Sequence, residues 1–257
     1  LGGRCAQRLA ETGVTVLGYG AGEYADAAPG VPLAAELLAY APQGAGSSSR
    51  VRLHGPAGAV DERTLQVTLP GRHMTLNALG ALLGTAAVLG PEADVDQLIE
   101  GLQSFGGVRR RFEFRGRAGE VDVYDDYAHH PTEVRAVLAA ARSLVDDGRG
   151  RRVVAVFQPH LYSRTAEFAD DFAVALSAAD EVIVADVYGA REEPQPGITG
   201  LLISDQVTVP AVFVPNISDI ASVVADRARP GDVVLTLGAG DITMQAPSIL
   251  DALSLRS

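Results

Sequence analysis

The chain has 257 residues, 47% hydrophobic and 21% charged, enough to bury at least one substantial core and to form about one or two domains. Its 21 Lys+Arg against 32 Asp+Glu leave a formal charge of −11, which works against loose electrostatic adhesion to nucleic acid or to an anionic membrane. The single cysteine, Cys5, excludes an internal disulfide or a cysteine metal cluster and points to a reducing, cytoplasmic setting.

The sequence opens Leu-Gly-Gly-Arg with no initiator Met and runs directly into a helical pattern over Arg4 to Thr12, so it is expected to be a piece of something longer. Gly13 is placed to end that helix, and Val14 to Leu17 reads as a strand. From Leu33 to Leu69, short strands such as Val51-Arg52-Leu53 and Leu65 to Leu69 alternate with turn material at Gly44 to Ser49 and at Gly55-Pro56-Ala57-Gly58, which predicts hairpins. Helices follow at Met74 to Leu89, closed by Gly90-Pro91, and at Val95 to Phe105, opened by Asp94 as N-cap. The apolar stretch Leu76 to Leu89 is broken by Asn77, Gly80, Gly84 and Thr85 and falls short of the ~20 residues of a bilayer span. No signal peptide is visible.

Ser104-Phe105-Gly106-Gly107 marks a boundary, giving segments 1–106 and 107–257, because the composition then turns basic at Arg109-Arg110-Arg111. Beyond it the expected order is strand Phe112 to Phe114, strand Val121 to Tyr124, helix Thr132 to Val145, strand Val153 to Phe157, helix Ala166 to Ala179 and strand Val182 to Asp186. Strand Val212 to Val214, helix Asp219 to Ala228, strand Val233 to Leu237 and helix Ala246 to Leu253 complete it. Alternating strands and helices imply an α/β fold with a parallel, doubly wound, Rossmann-like sheet, whose ligands bind at the carboxyl ends of the strands.

Two such ends carry dense chemistry. Asp125-Asp126-Tyr127-Ala128-His129-His130-Pro131-Thr132-Glu133 offers paired carboxylates and paired imidazoles, suited to a divalent metal, to ribose hydroxyls, or to an amino group and a carboxylate. The bland account is that Thr132 caps the helix and Asp126 meets its amides. Gln158-Pro159-His160-Leu161-Tyr162-Ser163-Arg164-Thr165 places an arginine fork beside a helix start, where an anion is favoured; a capping Ser163 or Thr165 is the structural counterpart. At least two of the three consecutive arginines suit a solvated strand edge. His73 and Asn77 lie one turn apart on a helix. Gly18 to Gly22 and Gly238-Ala239-Gly240-Asp241 match no complete nucleotide fingerprint and read as structural turns, and Gly-x-x-x-x-Gly-Lys-Ser/Thr occurs nowhere in the 257 residues.

Together, Pro70-Gly71-Arg72-His73 with Leu76-Asn77-Ala78, Arg110-Arg111-Phe112-Glu113, the Asp125 to Glu133 run, Phe157-Gln158-Pro159-His160 with Ser163-Arg164-Thr165, and Gly238-Ala239-Gly240-Asp241 resemble the Mur ligase family over essentially the whole chain. By this resemblance, residues 1–106 are the tail of a central ATPase domain and 107–257 a complete C-terminal Rossmann-like domain, while the P-loop half and an N-terminal sugar-nucleotide domain are not included. The activity implied is ATP- and Mg2+-dependent amide formation, joining L-alanine to UDP-N-acetylmuramate through an acyl phosphate, with the Mg2+ ligands mostly in the segment not included. The same resemblance implies that His73 and Asn77 contact adenine, that Arg111 reaches the nucleotide and Asp126 the ribose. It implies further that Tyr127, His129 and Arg164, with His130 and His160, position L-alanine and the sugar carboxylate. Met74 stands where many relatives carry Asn, and Leu161 where some carry Arg. Without a P-loop the 257 residues alone are expected to be inactive. The alternatives are a ligase joining a murein tripeptide to the same sugar nucleotide, a metal-dependent phosphoesterase built on Asp125, Asp126, His129, His130 and His160, and a non-catalytic nucleotide-binding module.

Overall fold

A computed structural model describes residues 2–22, 31–55, 59–146 and 150–256, and the chain divides into two compact units, Leu1–Gly106 and Gly107–Ser257.

The first unit begins with α1 (Gly2–Glu11), which Gly13 ends at φ 82°, as its position predicts. The first strand is not Val14 to Leu17 but β1 (Gly18–Ala21), so the glycine-rich segment taken for a turn is itself extended. Gly18 packs so close to Pro32 O that a Cβ would lie 3.3 Å from it, which favours glycine at that position. β2 (Leu33–Gln43), β3 (Gly46–His54) and β4 (Val60–Val67) complete a sheet ordered β1-β2-β3-β4, parallel at its first pair and antiparallel elsewhere. The β2–β3 turn is tighter than expected: Gly44 supplies the left-handed φ of 55°, and Ser47 and Ser49 already belong to β3. Of the second predicted turn, residues 56–58 lie outside the described residues.

Against this sheet lie α2 (Arg72–Leu89) and α3 (Val95–Gln103). Asp94 caps α3 as expected, accepting from the amides of Asp96 and Gln97 at 3.1 Å. With the turn after it, α2 reaches 21 residues and is long and apolar enough, by length and composition, to cross a bilayer, contrary to the shorter stretch read from sequence. Its Met74, Leu79 and Leu82 are nevertheless buried in a core with Leu37, Val51 and Leu65, which is how a helix on a globular sheet is built.

The second unit is a six-stranded sheet in the order β5-β6-β10-β7-β8-β9. β6 (Val121–Asp126), β7 (Val153–Phe157), β8 (Glu181–Ala185), β9 (Ala211–Val214) and β10 (Val233–Leu237) are parallel; β5 (Glu113–Ala118) is an antiparallel edge. Period-two alternation divides the buried strands between two cores. Ala155, Phe157, Val182, Val184 and Leu235 meet α4 (Pro131–Val145) and α5 (Tyr162–Leu176) on one face. Val154, Val156, Ile183 and Val234 meet α7 (Ile220–Arg227) and α8 (Gln245–Ser254) on the other. Full burial of a side chain such as Phe157 or Ile183 contributes about 1.5–3 kcal/mol. A short helix, α6 (Leu201–Ser204), was not anticipated, and α5 begins four residues earlier than expected.

The amino ends of the strands are pinned by ion pairs. Arg152 bridges Glu181 at 3.0 Å and Asp232 at 2.6 Å, and Asp122 receives Arg117 at 2.6 Å and Arg151 at 3.1 Å. The two shallow cavities of about 540 and 410 Å³ that share Glu120 and Pro230 lie at this end, away from the chemistry-bearing loops.

Candidate active site

The carboxyl ends of β6, β7, β8 and β10 carry the loops after Asp126, Phe157, Ala185 and Leu237. These loops are cross-tied by backbone and side chain. Gly238 N–H donates to Asp126 O at 3.1 Å and Gln158 N–H to Leu237 O at 2.9 Å. The buried Gln158 amide donates to Asp241 Oδ1 at 2.7 Å and accepts from Ile242 N–H at 3.1 Å. The glycines between them are required by space: Gly238 sits at φ 148° with Gln158 O 2.8 Å from where a Cβ would be, and a Cβ on Gly240 would lie 2.7 Å from Tyr188 Cγ.

Asp125 is fully buried and accepts from the hydroxyls of Thr236 and Thr243, each at 2.6 Å. Asp126 is only 1% exposed, and its two oxygens accept from the amides of Phe112 at 2.8 Å and Ala128 at 2.7 Å. Burial pushes its carboxyl up to about 6 despite those amides and the nearby Arg111. The carboxylate expected to face a ribose is thus turned inward, where it holds the loop.

His130, expected near the substrate, is the N-cap of α4: its Nδ1 accepts from Thr132 N–H at 3.3 Å, with Pro131 at the first helical position. Its ring also packs on Phe168, at 5.2 Å between centroids. The capping anticipated from Thr132 is therefore supplied two residues earlier.

The residues that converge are Tyr127, His129, His160 and Arg164. Tyr127 and His129 meet edge to face at 4.9 Å, and His129 and His160 at 5.9 Å. Arg164, in the first turn of α5 rather than in the loop before it, donates to His129 O at 3.4 Å. His129 Nδ1 lies 2.9 Å from Tyr127 O and 3.4 Å from Glu133. Burial, then Arg164 and His129, push the His160 imidazole down from its ordinary value. Neither Ser163 nor Thr165 caps α5; Leu161 occupies the N-cap position at φ 73°, and the Glu192 carboxylate accepts from Ser163 N–H at 2.9 Å.

The arginine run is only partly the solvated edge expected of it. Arg110, at φ 59°, donates to Gly238 O at 2.7 Å, lies 3.6 Å from Asp125 and stands 4.8 Å from the centre of the Tyr127 ring. Arg111 is exposed with its guanidinium 5.6 Å from the same ring. His73 and Asn77 are both on α2 of the first unit, the former half-buried and the latter exposed with its amide 3.9 Å from Met74 Sδ. Among the described residues no three His, Cys, Asp or Glu side chains are grouped to hold a metal, and both aspartates of the phosphoesterase alternative are occupied by hydroxyls and amides. Sequence reasoning named Arg110, Asp125 and Gln158 without the contacts that fix them, and it missed Tyr188 and Glu192, whose partners lie tens of residues away.

Residues 110–240 match the family model described as Mur ligase, glutamate ligase domain. The chain belongs to the Mur ligase family. It is 53% identical to the UDP-N-acetylmuramate--L-alanine ligase of Nocardia farcinica over 98% of its own length and 50% of that relative's, and 49% identical to the protein of the same name from Mycobacterium tuberculosis H37Rv, over 100% of this chain and 51% of the relative. This Mur ligase chain thus spans about half the length of the curated relatives it matches. Among solved structures, the UDP-N-acetylmuramate-alanine ligase MurC of Thermotoga maritima matches with a TM-score of 0.69 at 28% identity, over 87% of this chain and 46% of that one. The murein peptide ligase of Psychrobacter arcticus shares the fold, with a TM-score of 0.59 at 21% identity over 92% and 46% of the two chains.

Proposed function

We propose that the chain supplies the acceptor-binding part of an ATP-dependent ligase that joins L-alanine to UDP-N-acetylmuramate in the cytoplasmic synthesis of peptidoglycan precursors. The observation that carries this reading is the convergence of Tyr127, His129, His160 and Arg164 at the carboxyl ends of β6 and β7. The 53% identity to a ligase of that name supports it. Residues 1–106 are assigned to the tail of a central ATPase domain and 107–257 to the C-terminal domain.

In the reaction, ATP phosphorylates the sugar's carboxylate, the amine of L-alanine attacks the acyl phosphate, and the tetrahedral intermediate loses phosphate. The Arg164 fork suits the alanine carboxylate, because a guanidinium holds it in one plane with two parallel bonds. His129 and His160 stand beside that fork, where the amine must be held until attack. Exposed Arg111 is suited to neutralise phosphate charge, and Tyr127 gives its guanidinium a face to rest on. His73 and Asn77 are assigned to adenine, while Asp126 is assigned to holding its loop and not to ribose. Mg2+ would neutralise phosphate charge, but the described residues hold no group that fits it, so no step is assigned to it here.

The test is a chimera in which these residues replace the corresponding half of the Nocardia farcinica relative. Phosphate release that depends on L-alanine and UDP-N-acetylmuramate is expected, with Arg164→Lys raising KM for L-alanine more than it lowers kcat. A folded chimera that accepts a murein tripeptide in preference to L-alanine, or neither, refutes the reading.

A further inference from the structure

Tyr188 belongs to none of the motifs read from sequence, yet its ring stacks on that of His160. It lies between β8 and α6, 37% exposed. Its N–H donates to Pro159 O at 2.8 Å and its carbonyl accepts from Leu161 N–H at 2.9 Å, so two backbone bonds straddle His160. The two rings lie nearly parallel, 19° apart with centroids 5.7 Å apart, while His129 meets the imidazole edge-on at 5.9 Å and 70°. Room for the phenol comes from Gly240, where a Cβ would lie 2.7 Å from its Cγ and 2.8 Å from its Cβ. Glu192, bonded to Ser163, ties the same loop to the start of α5. This is far more fixation than an exposed loop tyrosine needs.

We propose that Tyr188 is a positioning residue for His160, clamping the imidazole plane against His129 so that its unburied edge meets the acceptor amino acid at a fixed angle. The role in acceptor binding rests on the ligase reading; the clamping itself does not. His160 Nδ1 is buried and no protein group among the described residues hydrogen-bonds it, so on the protein side it is packing that fixes the ring. The groups facing the imidazole are Arg164 from α5, His129 from the β6–α4 loop, and Tyr188 and Glu192 from the β8–α6 loop. Burial, Arg164 and His129 oppose protonation, while Glu192 favours it. Face contact with a phenol favours a cation. Losing the ring removes cover and face contact together, and these act in opposite directions on the charge, so the readout that follows the clamp is the tautomer of the imidazole.

The experiment is a pH titration of the isotopically labelled 257-residue chain, reading His160 through long-range proton–nitrogen correlations in the wild type, Tyr188→Phe and Tyr188→Leu. His160 should titrate below ordinary histidine with one dominant tautomer in wild type and Tyr188→Phe. In Tyr188→Leu the single dominant tautomer should give way to mixed tautomers. Tyr188→Met serves if the leucine variant loses its amide dispersion. An unchanged His160 in either aliphatic variant, or a phenylalanine variant that behaves like them, overturns the proposal. Adding L-alanine to the wild type tests the ligase reading separately: a silent His160 counts against acceptor binding while leaving the clamp intact.

Discussion

Replacing Asp126 with asparagine separates the cost of burying a carboxylate from the benefit of the two amides it holds. Burial lifts the group from 3.8 to about 6 in the folded chain, so the folded state binds the proton more tightly than the unfolded one. The contribution of this group to stability is fully present below pH 3.8 and is lost as pH rises through 6. The full difference corresponds to about 3 kcal/mol, of which about 2 kcal/mol is lost between pH 4.5 and 7.5. Asparagine keeps the shape and does not titrate, but its amide nitrogen faces one of the N–H groups of Phe112 and Ala128, at a cost of about 1–3 kcal/mol. The variant should therefore be the weaker protein at pH 4.5 and should draw level with, or overtake, the wild type by pH 7.5. Urea unfolding followed by circular dichroism at a series of pH values measures both. A difference between the two proteins that is flat across that range, or that widens as pH rises, refutes the argument that burial dominates this carboxylate.

His130→Ala should cost about 1 kcal/mol by removing the α4 cap, with His130→Asn restoring most of it in the same unfolding assay. Arg152→Ala should cost about 3–5 kcal/mol, because buried Asp232 loses the guanidinium it pairs with, while Glu181 keeps Arg227; a loss below 1 kcal/mol would show that water reaches Asp232. Gly240→Ala forces Tyr188 or Gln158 aside and should cost about 1–3 kcal/mol, with amide exchange rising first in the loop after β10. The 257 residues by themselves contain no P-loop and should release no phosphate from ATP with L-alanine and UDP-N-acetylmuramate present; measurable release would remove that expectation.

The doubly wound sheet was legible because its strands are uninterrupted apolar runs of fixed length, as in Val153 to Phe157, between helices with a clear apolar face. Boundaries were lost where a non-local partner replaced the local signal. α5 starts at Tyr162, and Glu192, thirty residues on, accepts from the amide of Ser163, the residue expected to be a cap itself. Asp126 and His130 were read as ligand groups for the same cause: both types suit ligands as well as they suit amides, and the amides they accept from are visible only in the fold. Arg110 was undervalued because three arginines in a row look like a wet edge, whereas its left-handed backbone turns one of them in toward Asp125.

The last strand in the chain occupies the middle of the sheet. β10 lies between β6 and β7, and no ladder joins those two directly. During synthesis, everything up to Asp232 can leave the ribosome while the sheet is still in two pieces with open inner edges, a state prone to wrong pairing. Thr236, Leu237 and Gly238 then tie Asp125, Gln158 and Asp126 together, so the loops that carry the chemistry come into register only on that final insertion. A nascent chain stalled before Val233 is therefore expected to be both unable to assemble its site and sticky, which makes completion of the site and safety from aggregation a single event.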